Sequence, residues 1–245
     1  MKIPTYQEML DAGVHFGHLR KKWNPKMRQY IFAEHKGIHI IDVNRTSENL
    51  EKAANALKNI VKSGRKVMFV ATKKQAREIL AKAAQSVGMP HVTERWLGGM
   101  MTNFATIRRS VKKMHNIERL LAQGSELSSI TKKERLTLDR ERQKLDKELG
   151  GISQLNRLPD ALFLVDIGHE HIALQEATRL GIKTFAMVDT NCDPNLVDFA
   201  IPSNDDASKS INLITNVLIE AIKEGLEERK AMKTELEGTA AAANA

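Results

Sequence analysis

Three short apolar runs constrain the fold more than any other feature of the sequence. They are VMFVA (67–71), ALFLV (161–165) and TFAMV (184–188). Each run is nearly continuous in apolar residues instead of alternating, which is typical of strands that are buried on both faces. IHII (38–41) predicts a fourth strand, and DFAI (198–201) predicts a fifth.

Helical patterns lie between these runs. Apolar residues keep a helical period after Thr46-Ser47, Thr72 and Gln75 form a capping-box pattern before a helix that stops at Gly88, and a further helix stops at Gly181. A long amphipathic helix follows Ile211. Because strands and helices alternate, the sequence predicts a three-layer α/β/α domain with a mostly parallel sheet, of the Rossmann-like or flavodoxin-like kind.

One segment interrupts the alternation. Before the turn QGSELSS, its apolar residues recur every three or four positions: Ile107, Val111, Met114, Ile117 and Leu121. After a capping box at Thr131 and Glu134, the same helical seam continues with Leu138, Leu145 and Leu149. This pattern predicts an inserted antiparallel helical hairpin, or coiled coil, over 104–149, projecting about 27 Å. The α/β core is then 1–103 and 150–228, and 229–245 is predicted to be a disordered tail.

The distribution of charge is informative beyond its total. The net charge is +8 with a pI near 9.5, which favours a polyanionic partner. Residues 15–37 carry six basic residues against one acid, 104–148 carry twelve against seven, and 160–206 carry two against nine. Such segregation along the chain indicates that one face meets an anion while another meets something else.

Two features bear on location. Cys192 is the only cysteine, so the sequence excludes an internal disulfide and favours a reducing cytoplasm. The segment MKIPTYQEMLDAG lacks the apolar run of a signal peptide, and no stretch reaches about 18 apolar residues. We therefore expect a cytoplasmic chain with no membrane partner.

Residues at predicted strand ends leave an enzymatic alternative open. A soluble α/β enzyme could act on a phosphorylated or metal-bound substrate at Thr72, Asp166 and Asp189, because parallel sheets place ligands at the carboxyl ends of strands. However, neither G-x-G-x-x-G after a strand nor G-x-x-x-x-G-K-[ST] occurs. The acidic group of Asp166, Asp189, Asp193, Asp205 and Asp206 is compatible with a divalent cation, but also with ordinary turns.

A binding function has more support than catalysis. RKKWNPKMRQYIF interleaves basic residues with Trp23 and Tyr30, so that cations could neutralise phosphates while Trp23 stacks on an exposed base. In RWLGGMMTNFATIRR, the pair Gly98-Gly99 predicts a sharp turn into a helix that is capped by Thr102 or Asn103. Trp96 is open to either RNA contact or packing. Shape and phosphate recognition of folded RNA fits this pattern better than base reading.

The motifs also resemble a known family. AGVHFGH with WNPKM and YIF, then VMFVATKKQA with RWLGGMMTNFATIR, then LPDALFLVD with VDTNCDPNLVDFAIPSNDDA, resemble the bacterial small-subunit ribosomal protein S-two family. The resemblance extends from about Met9 to Ile214. It implies no catalysis, rRNA binding in the small ribosomal subunit of the bacterial cytoplasm, a monomer within the particle, and a role in docking ribosomal protein S-one for mRNA engagement in translation.

The resemblance implies site residues as well. The expected RNA-facing positions are Arg20, Lys21, Lys22, Trp23, Asn24, Lys26, Arg28, Arg95, Arg108, Arg109, Lys112, Lys113, Lys132, Lys133 and Arg135. No cofactor is required, although a divalent metal, zinc or magnesium, is possible near His18, Asp189 and Asp205. The chain departs from its relatives in the basic triplet at 20–22 and in its short, alanine-rich tail, so any contact that depends on the tail is in doubt.

Overall fold

The computed structural model describes residues 2–122 and 131–243, with side chains described as far as residue 234 in the final helix. Helices are α1 (Tyr6–Asp11), α2 (Val43–Lys62), α3 (Lys74–Ser86), α4 (Phe104–Ala122), α5 (Lys132–Leu149), α6 (His171–Leu180) and α7 (Ser208–Ala243). Strands are β1 (Phe16–Leu19), β2 (Ile31–His35), β3 (Ile38–Ile41), β4 (Val67–Val70), β5 (His91–Val92), β6 (Ala161–Val165), β7 (Lys183–Val188) and β8 (Phe199–Pro202).

The main sheet confirms the predicted fold class. Its order is β5-β4-β6-β7-β8, and every neighbouring pair is parallel. Successive residues of β6 point to opposite sides, so that Phe163 joins one apolar cluster while Leu162 and Leu164 join the other. The sheet is therefore buried on both faces, which is why its strands are continuous apolar runs instead of alternating ones.

Each face of the sheet is covered by its own layer. Helices α1, α2, α3 and α7 contribute to the cluster around Phe69, Phe163 and Phe185. The opposite cluster is formed with α6, the first turns of α4, and Met27 from the N-terminal part of the chain. These layers give the three-layer arrangement that the alternation of elements predicts.

The segment IHII (38–41) forms a strand as predicted, but this strand is not part of the main parallel sheet. It forms β3, the centre of a separate antiparallel sheet of order β1-β3-β2. Its burial alternates, with His39 and Ile41 buried and Ile38 and Ile40 half-buried. A strand covered on one face has this pattern, whereas the continuous runs mark strands covered on both.

Two predicted helix starts are wrong. Helix α2 begins at Val43, with the Asp42 side chain accepting from the Asn44 amide, and Thr46 instead donates its hydroxyl to the Pro202 carbonyl at 2.6 Å. Helix α3 begins at Lys74, and the Thr72 hydroxyl is bound to Glu170 and not to the helix. In both places the threonine hydroxyl forms a hydrogen bond with a residue distant in sequence, and the helix starts at another residue than the local pattern predicted.

Helices α4 and α5 occupy the predicted insertion. They contact each other through an ion pair of Lys113 with Glu141 and through a hydrogen bond from Arg135 to the Leu121 carbonyl. The capping box of Thr131 and Glu134 at the start of α5 is confirmed. The turn QGSELSS, predicted to join the helices, lies outside the described residues. We call α4 and α5 together the helical arm.

The end of the chain differs from the predicted disordered tail at 229–245. Helix α7 continues through Ala243. Near Gly225, α7 approaches α2 so closely that a Cβ there would lie 2.7 Å from the Lys58 carbonyl oxygen, and Glu228 pairs with both Lys58 and Lys62. Alanine has the highest helix propensity, so the alanine-rich sequence allows the helix to continue. No helix in the described part of the chain is long and apolar enough to cross a membrane.

Candidate nucleic-acid interface and acidic cluster

Residues 15–37, which we call the N-terminal basic segment, are fastened to the loop after β7. The amide of Asn24 donates to the Thr190 carbonyl at 2.8 Å, and the amide of His18 donates to the Thr190 Oγ1 at 2.8 Å. At Gly17 an added Cβ would lie 2.6 Å from Thr190 Cγ2, so only glycine allows this approach. The segment is thus a fixed part of the core surface.

Most of the predicted RNA-facing residues of this segment lie at the surface. Five are exposed: Arg20, Lys21, Lys22, Lys26 and Arg28. Arg20 pairs with Glu34 at 3.5 Å, and Lys26 pairs with Asp193 at 2.6 Å. Among the described residues, Lys21, Lys22 and Arg28 have no acidic partner, so their charges are available to an external anion.

The two uncharged members of the segment have structural contacts. Trp23 is half-buried, with its ring centroid 5.2 Å from that of His39. The Asn24 side chain accepts a hydrogen bond from the Lys26 amide at 3.0 Å and so caps the short 3₁₀ helix that begins at Pro25. Trp23 keeps part of its surface exposed beside the cations, whereas the side-chain oxygen of Asn24 is already occupied.

The helical arm carries the second group of predicted residues. Four of them are exposed and have no acidic partner within the described chain: Arg109, Lys112, Lys132 and Lys133. The rest are engaged to different degrees. Lys113 pairs with Glu141, Arg135 donates to the Leu121 carbonyl at 3.5 Å, and half-buried Arg108 donates to the Leu155 carbonyl at 2.8 Å. Arg108 therefore ties α4 to the core instead of standing free.

The stretch that enters the arm is organised around a residue that the sequence did not single out. Trp96 is 7% exposed and belongs to the core, with its Nε1 donating to Glu176 at 3.1 Å, while Arg95 beside it is exposed. Gly99 has φ +85°, which glycine adopts without strain. Thr102 does not occupy the N-cap position of α4 as one alternative predicted, because α4 begins at Phe104 and Asn103 directly precedes it. The Thr102 hydroxyl donates to Glu176.

An acidic cluster lies beside the N-terminal basic segment. The ligand atoms of His18, Asp189 and Asp205 all lie within 4.8 Å of one another, so the structure brings together the three residues predicted to hold a metal. His18 Nδ1 is 2.9 Å from Asp189 Oδ2. Asp205 is fully buried, and its Oδ2 has no hydrogen-bond partner in the described residues.

Lys73 balances part of the negative charge in this cluster. Its Nζ lies 3.1 Å from Asp166, 2.7 Å from Asp205 and 2.6 Å from Asp206. Four carboxylates thus surround one lysine and one histidine. Burial, together with Asp166 and Asp189, raises the pKa of Asp205 to about 7, because a buried carboxylate among others is costly to ionise. The hydrogen bond to Asp189 raises the pKa of His18.

The cluster shows how charge that is segregated along the chain comes together in space. His18 and Lys26 of the basic segment contact Asp189 and Asp193 of the acidic segment. The expectation that basic and acidic segments form separate faces therefore holds only in part.

The residues of the enzymatic alternative are engaged too. Both the amide and the hydroxyl of Thr72 donate to buried Glu170 at 2.6 Å.

Comparisons with known proteins agree with this architecture. A family model described as Ribosomal protein S2 matches residues 9–225. The small ribosomal subunit protein uS2 of Cytophaga hutchinsonii is 58% identical over 228 residues, which are 93% of this chain and 89% of the relative. The protein of the same name from Porphyromonas gingivalis is 56% identical over 94% of this chain and 81% of the relative. That from Parabacteroides distasonis is 53% identical over 97% and 85%.

These matches define first a class, since they place the chain among the structural proteins of the ribosome and not among enzymes. The family match covers well over half of the chain. The chain belongs to the Ribosomal protein S2 family. The enzymatic alternative at Thr72, Asp166 and Asp189 is thereby set aside.

Proposed function

We propose that this chain is a structural constituent of the small ribosomal subunit in the bacterial cytoplasm, where it binds rRNA as a monomer. The N-terminal basic segment and the helical arm form the RNA-facing surface. The observation that carries the proposal is the set of exposed cations without acidic partners in the described chain: Lys21, Lys22, Arg28, Arg109, Lys112, Lys132 and Lys133. The names of the relatives support the assignment to the small subunit.

Recognition is expected to depend on phosphates and shape. Cations at the ends of long, exposed side chains neutralise phosphates without distinguishing bases, and each such contact releases counterions. Trp23, half-buried against His39, offers a stacking surface of limited area. Affinity should therefore fall steeply with salt and vary little with the sequence of exposed bases.

The decisive experiment removes three unpaired charges of the basic segment, Lys21, Lys22 and Arg28, by substitution with alanine. The salt slope of binding to small-subunit particles that lack this protein should flatten by about one unit per lost contact. A matched control removes the same charge elsewhere, at exposed Lys52, Lys209 and Lys223 of α2 and α7. Equal slopes for the two triple variants would refute docking through the N-terminal basic segment.

The acidic part of the surface is proposed to meet proteins, including ribosomal protein S-one and other neighbours. Like charge disfavours an RNA backbone there, and Leu196 (56% exposed) offers apolar surface beside Asp193. Crosslinkers placed at Leu196 in assembled particles should capture proteins. Capture mainly of rRNA would contradict this part of the proposal, as would unchanged S-one occupancy in a Leu196→Lys variant.

We further propose that His18, Asp189 and Asp205 hold a divalent metal ion. Two observations fit: the four carboxylates of the cluster are balanced only by Lys73 and His18, and the Oδ2 of buried Asp205 lacks a partner among the described residues. Imidazole with carboxylates suits zinc, whereas magnesium prefers oxygen ligands alone, so zinc is the better match. The ion would neutralise the cluster and tie the N-terminal basic segment to the loops after β7 and β8.

Zinc binding is testable on the isolated protein. We expect one zinc ion per chain to survive dialysis, and a hundredfold excess over the dissociation constant to stabilise the fold by about 2.7 kcal/mol. Asp205→Asn should abolish both effects, while Asp146→Asn, in the exposed arm, should change neither. Zinc retention that is equal in the two variants would exclude this site.

A further inference from the structure

One buried carboxylate organises the stretch that leads from the core into the helical arm. Glu176 belongs to α6 and is 7% exposed. Five donors from residues 96–102 converge on it: Trp96 Nε1 at 3.1 Å, the Gly99 amide at 2.7 Å, the Met101 and Thr102 amides at 2.9 Å each, and the Thr102 hydroxyl at 3.0 Å. Both carboxylate oxygens are used.

The charge of Glu176 is held by these donors alone. Among the described residues it has no cationic partner. Burial alone would raise the pKa of Glu176, but the hydrogen bonds from Thr102, Met101 and Trp96 outweigh it and keep the pKa below its ordinary value. A buried carboxylate is unfavourable unless its hydrogen bonds are made, so loosening this stretch would leave the charge unsatisfied.

The residues that bind the Glu176 carboxylate lie directly before the first helix of the arm. Helix α4 begins at Phe104, two residues after the last donor. The first turns of α4 pack on the core through Ile107 and Val111, whereas Met114 and Ile117 belong to neither core cluster. Helix α4 is about 28 Å long at 1.5 Å per residue, so a rotation of about 10° at its base moves its far end by about 5 Å.

We propose that Glu176 is a positioning residue: by gathering the Trp96–Thr102 stretch onto α6, it fixes the direction in which the helical arm leaves the core. The effect of Glu176 on RNA binding rests on the function proposed above. Glu176 would act there by holding the cations of the arm at one place relative to the cations of the N-terminal basic segment. Its effect on the arm's direction does not require RNA and can be measured in the free protein.

The test uses Glu176→Gln, which keeps the side-chain volume but replaces one carboxylate oxygen with an NH₂ group. That group would face N–H donors that it cannot bind. In the free, folded full-length protein, amide exchange at Gly99, Met101 and Thr102 should accelerate at least tenfold, while exchange in β6 and β7 stays unchanged. Trp96→Phe, which removes only the indole donor, serves as a milder variant with a smaller change in the same direction.

The direction of the arm is measured with two spin labels in a Cys192→Ala background, one at Arg119→Cys in α4 and one at Lys82→Cys in α3. Both label positions are exposed. Glu176→Gln should broaden or shift the distribution of distances between the labels. Leu218→Ala, a cavity variant in the apolar cluster on the other face, lowers global stability without touching this stretch and should leave the distribution unchanged. Identical distributions with and without Glu176 would overturn the proposal.

Binding to small-subunit particles then connects the arm's position to RNA. Glu176→Gln should weaken binding by about tenfold in the otherwise unchanged chain and in the Lys21, Lys22 and Arg28 triple alanine variant. It should have little further effect once Arg109, Lys112 and Lys132 are alanine, because the contacts that it misplaces are then gone. A loss in the arm triple variant as large as that in the otherwise unchanged chain would show a general structural role and overturn the positioning role. An arm triple variant that binds normally would instead refute RNA contact by the arm.

Discussion

The N-terminal basic segment and the helical arm have similar charge but opposite attachment. Residues 15–37 and 104–148 each carry a net charge of +5. The segment contacts the core at many points, from Gly17 and His18 against Thr190 to fully buried Met27. Within α5, all of which the structure describes, only Leu149 is buried. Equal charge therefore lies on a segment with many core contacts in one region, and in the other on two helices of which α5 has one buried residue.

This difference shows that the net charge of a basic region does not indicate how strongly its position depends on the folding of the core. The segment is held by contacts spread along its length, so its position is part of global stability. The arm is held at its base by apolar residues and by the hydrogen bonds of Glu176, so its position can change while the core remains folded.

The largest expected effect comes from a matched pair of methionines. Met27 is 0% exposed and packs in the core, whereas Met114, 4% exposed, lies in the arm outside both core clusters. Met27→Ala should lower the free energy of unfolding by about 3 kcal/mol, within the range for buried methionine. Met114→Ala should cost less than half of that, because two helices on the surface can close the gap. Urea unfolding of both variants measures the two losses in free energy of unfolding. Equal losses would contradict the difference in attachment between the segment and the arm.

A smaller effect is expected at the closest approach between the segment and the core. Gly17→Ala places a Cβ 2.6 Å from Thr190 Cγ2 and 3.0 Å from the His39 carbonyl oxygen. We expect a loss of about 2 kcal/mol from overpacking, measured by thermal or urea unfolding. Gly98→Ala at the base of the arm is the control, because a Cβ there meets nothing within 4 Å and should change stability by less than about 0.5 kcal/mol. A neutral Gly17→Ala would show that the segment is loosely attached.

The smallest effects are expected at the surface ion pairs of the two regions. Lys26→Ala removes the pair with Asp193, and Lys113→Ala removes the pair with Glu141. Both lysines are more than half exposed, so each substitution should cost less than about 1 kcal/mol and less still at high salt. A double-mutant cycle for each pair measures the interaction. A much larger coupling for Lys26 would mean that this pair helps to fasten the segment.

Local patterns predicted much of the fold. The continuous apolar runs became the central strands β4, β6 and β7, the Thr131–Glu134 capping box begins α5, and Gly181 with φ +67° ends α6. These features depend on residues within a few positions of one another. The Thr72–Gln75 pattern was wrong for the same reason, because Glu170, 98 residues away, competes successfully for the Thr72 hydroxyl.

The candidate sites were only partly predictable. Exposed cations at 20–28 and in the arm follow from composition, because charged side chains stay in water. Trp96 was open between RNA contact and packing, and the structure places it in the core. Glu176 gave no local signal: it lies on a helix of ordinary periodicity, and its five donors are 74 to 80 residues away.

By itself the sequence determined the strand–helix alternation, the inserted helices and the two basic regions, since these follow from periodicity and solvation of neighbouring residues. Only the tertiary structure decided that His18, Asp189 and Asp205 meet, that Lys73 balances them, and that Glu176 gathers the base of the arm. The physical reason is that polar groups converge where folded elements pack together. Hydrogen bonds and ion pairs between residues up to about 190 positions apart depend on that packing and not on local sequence.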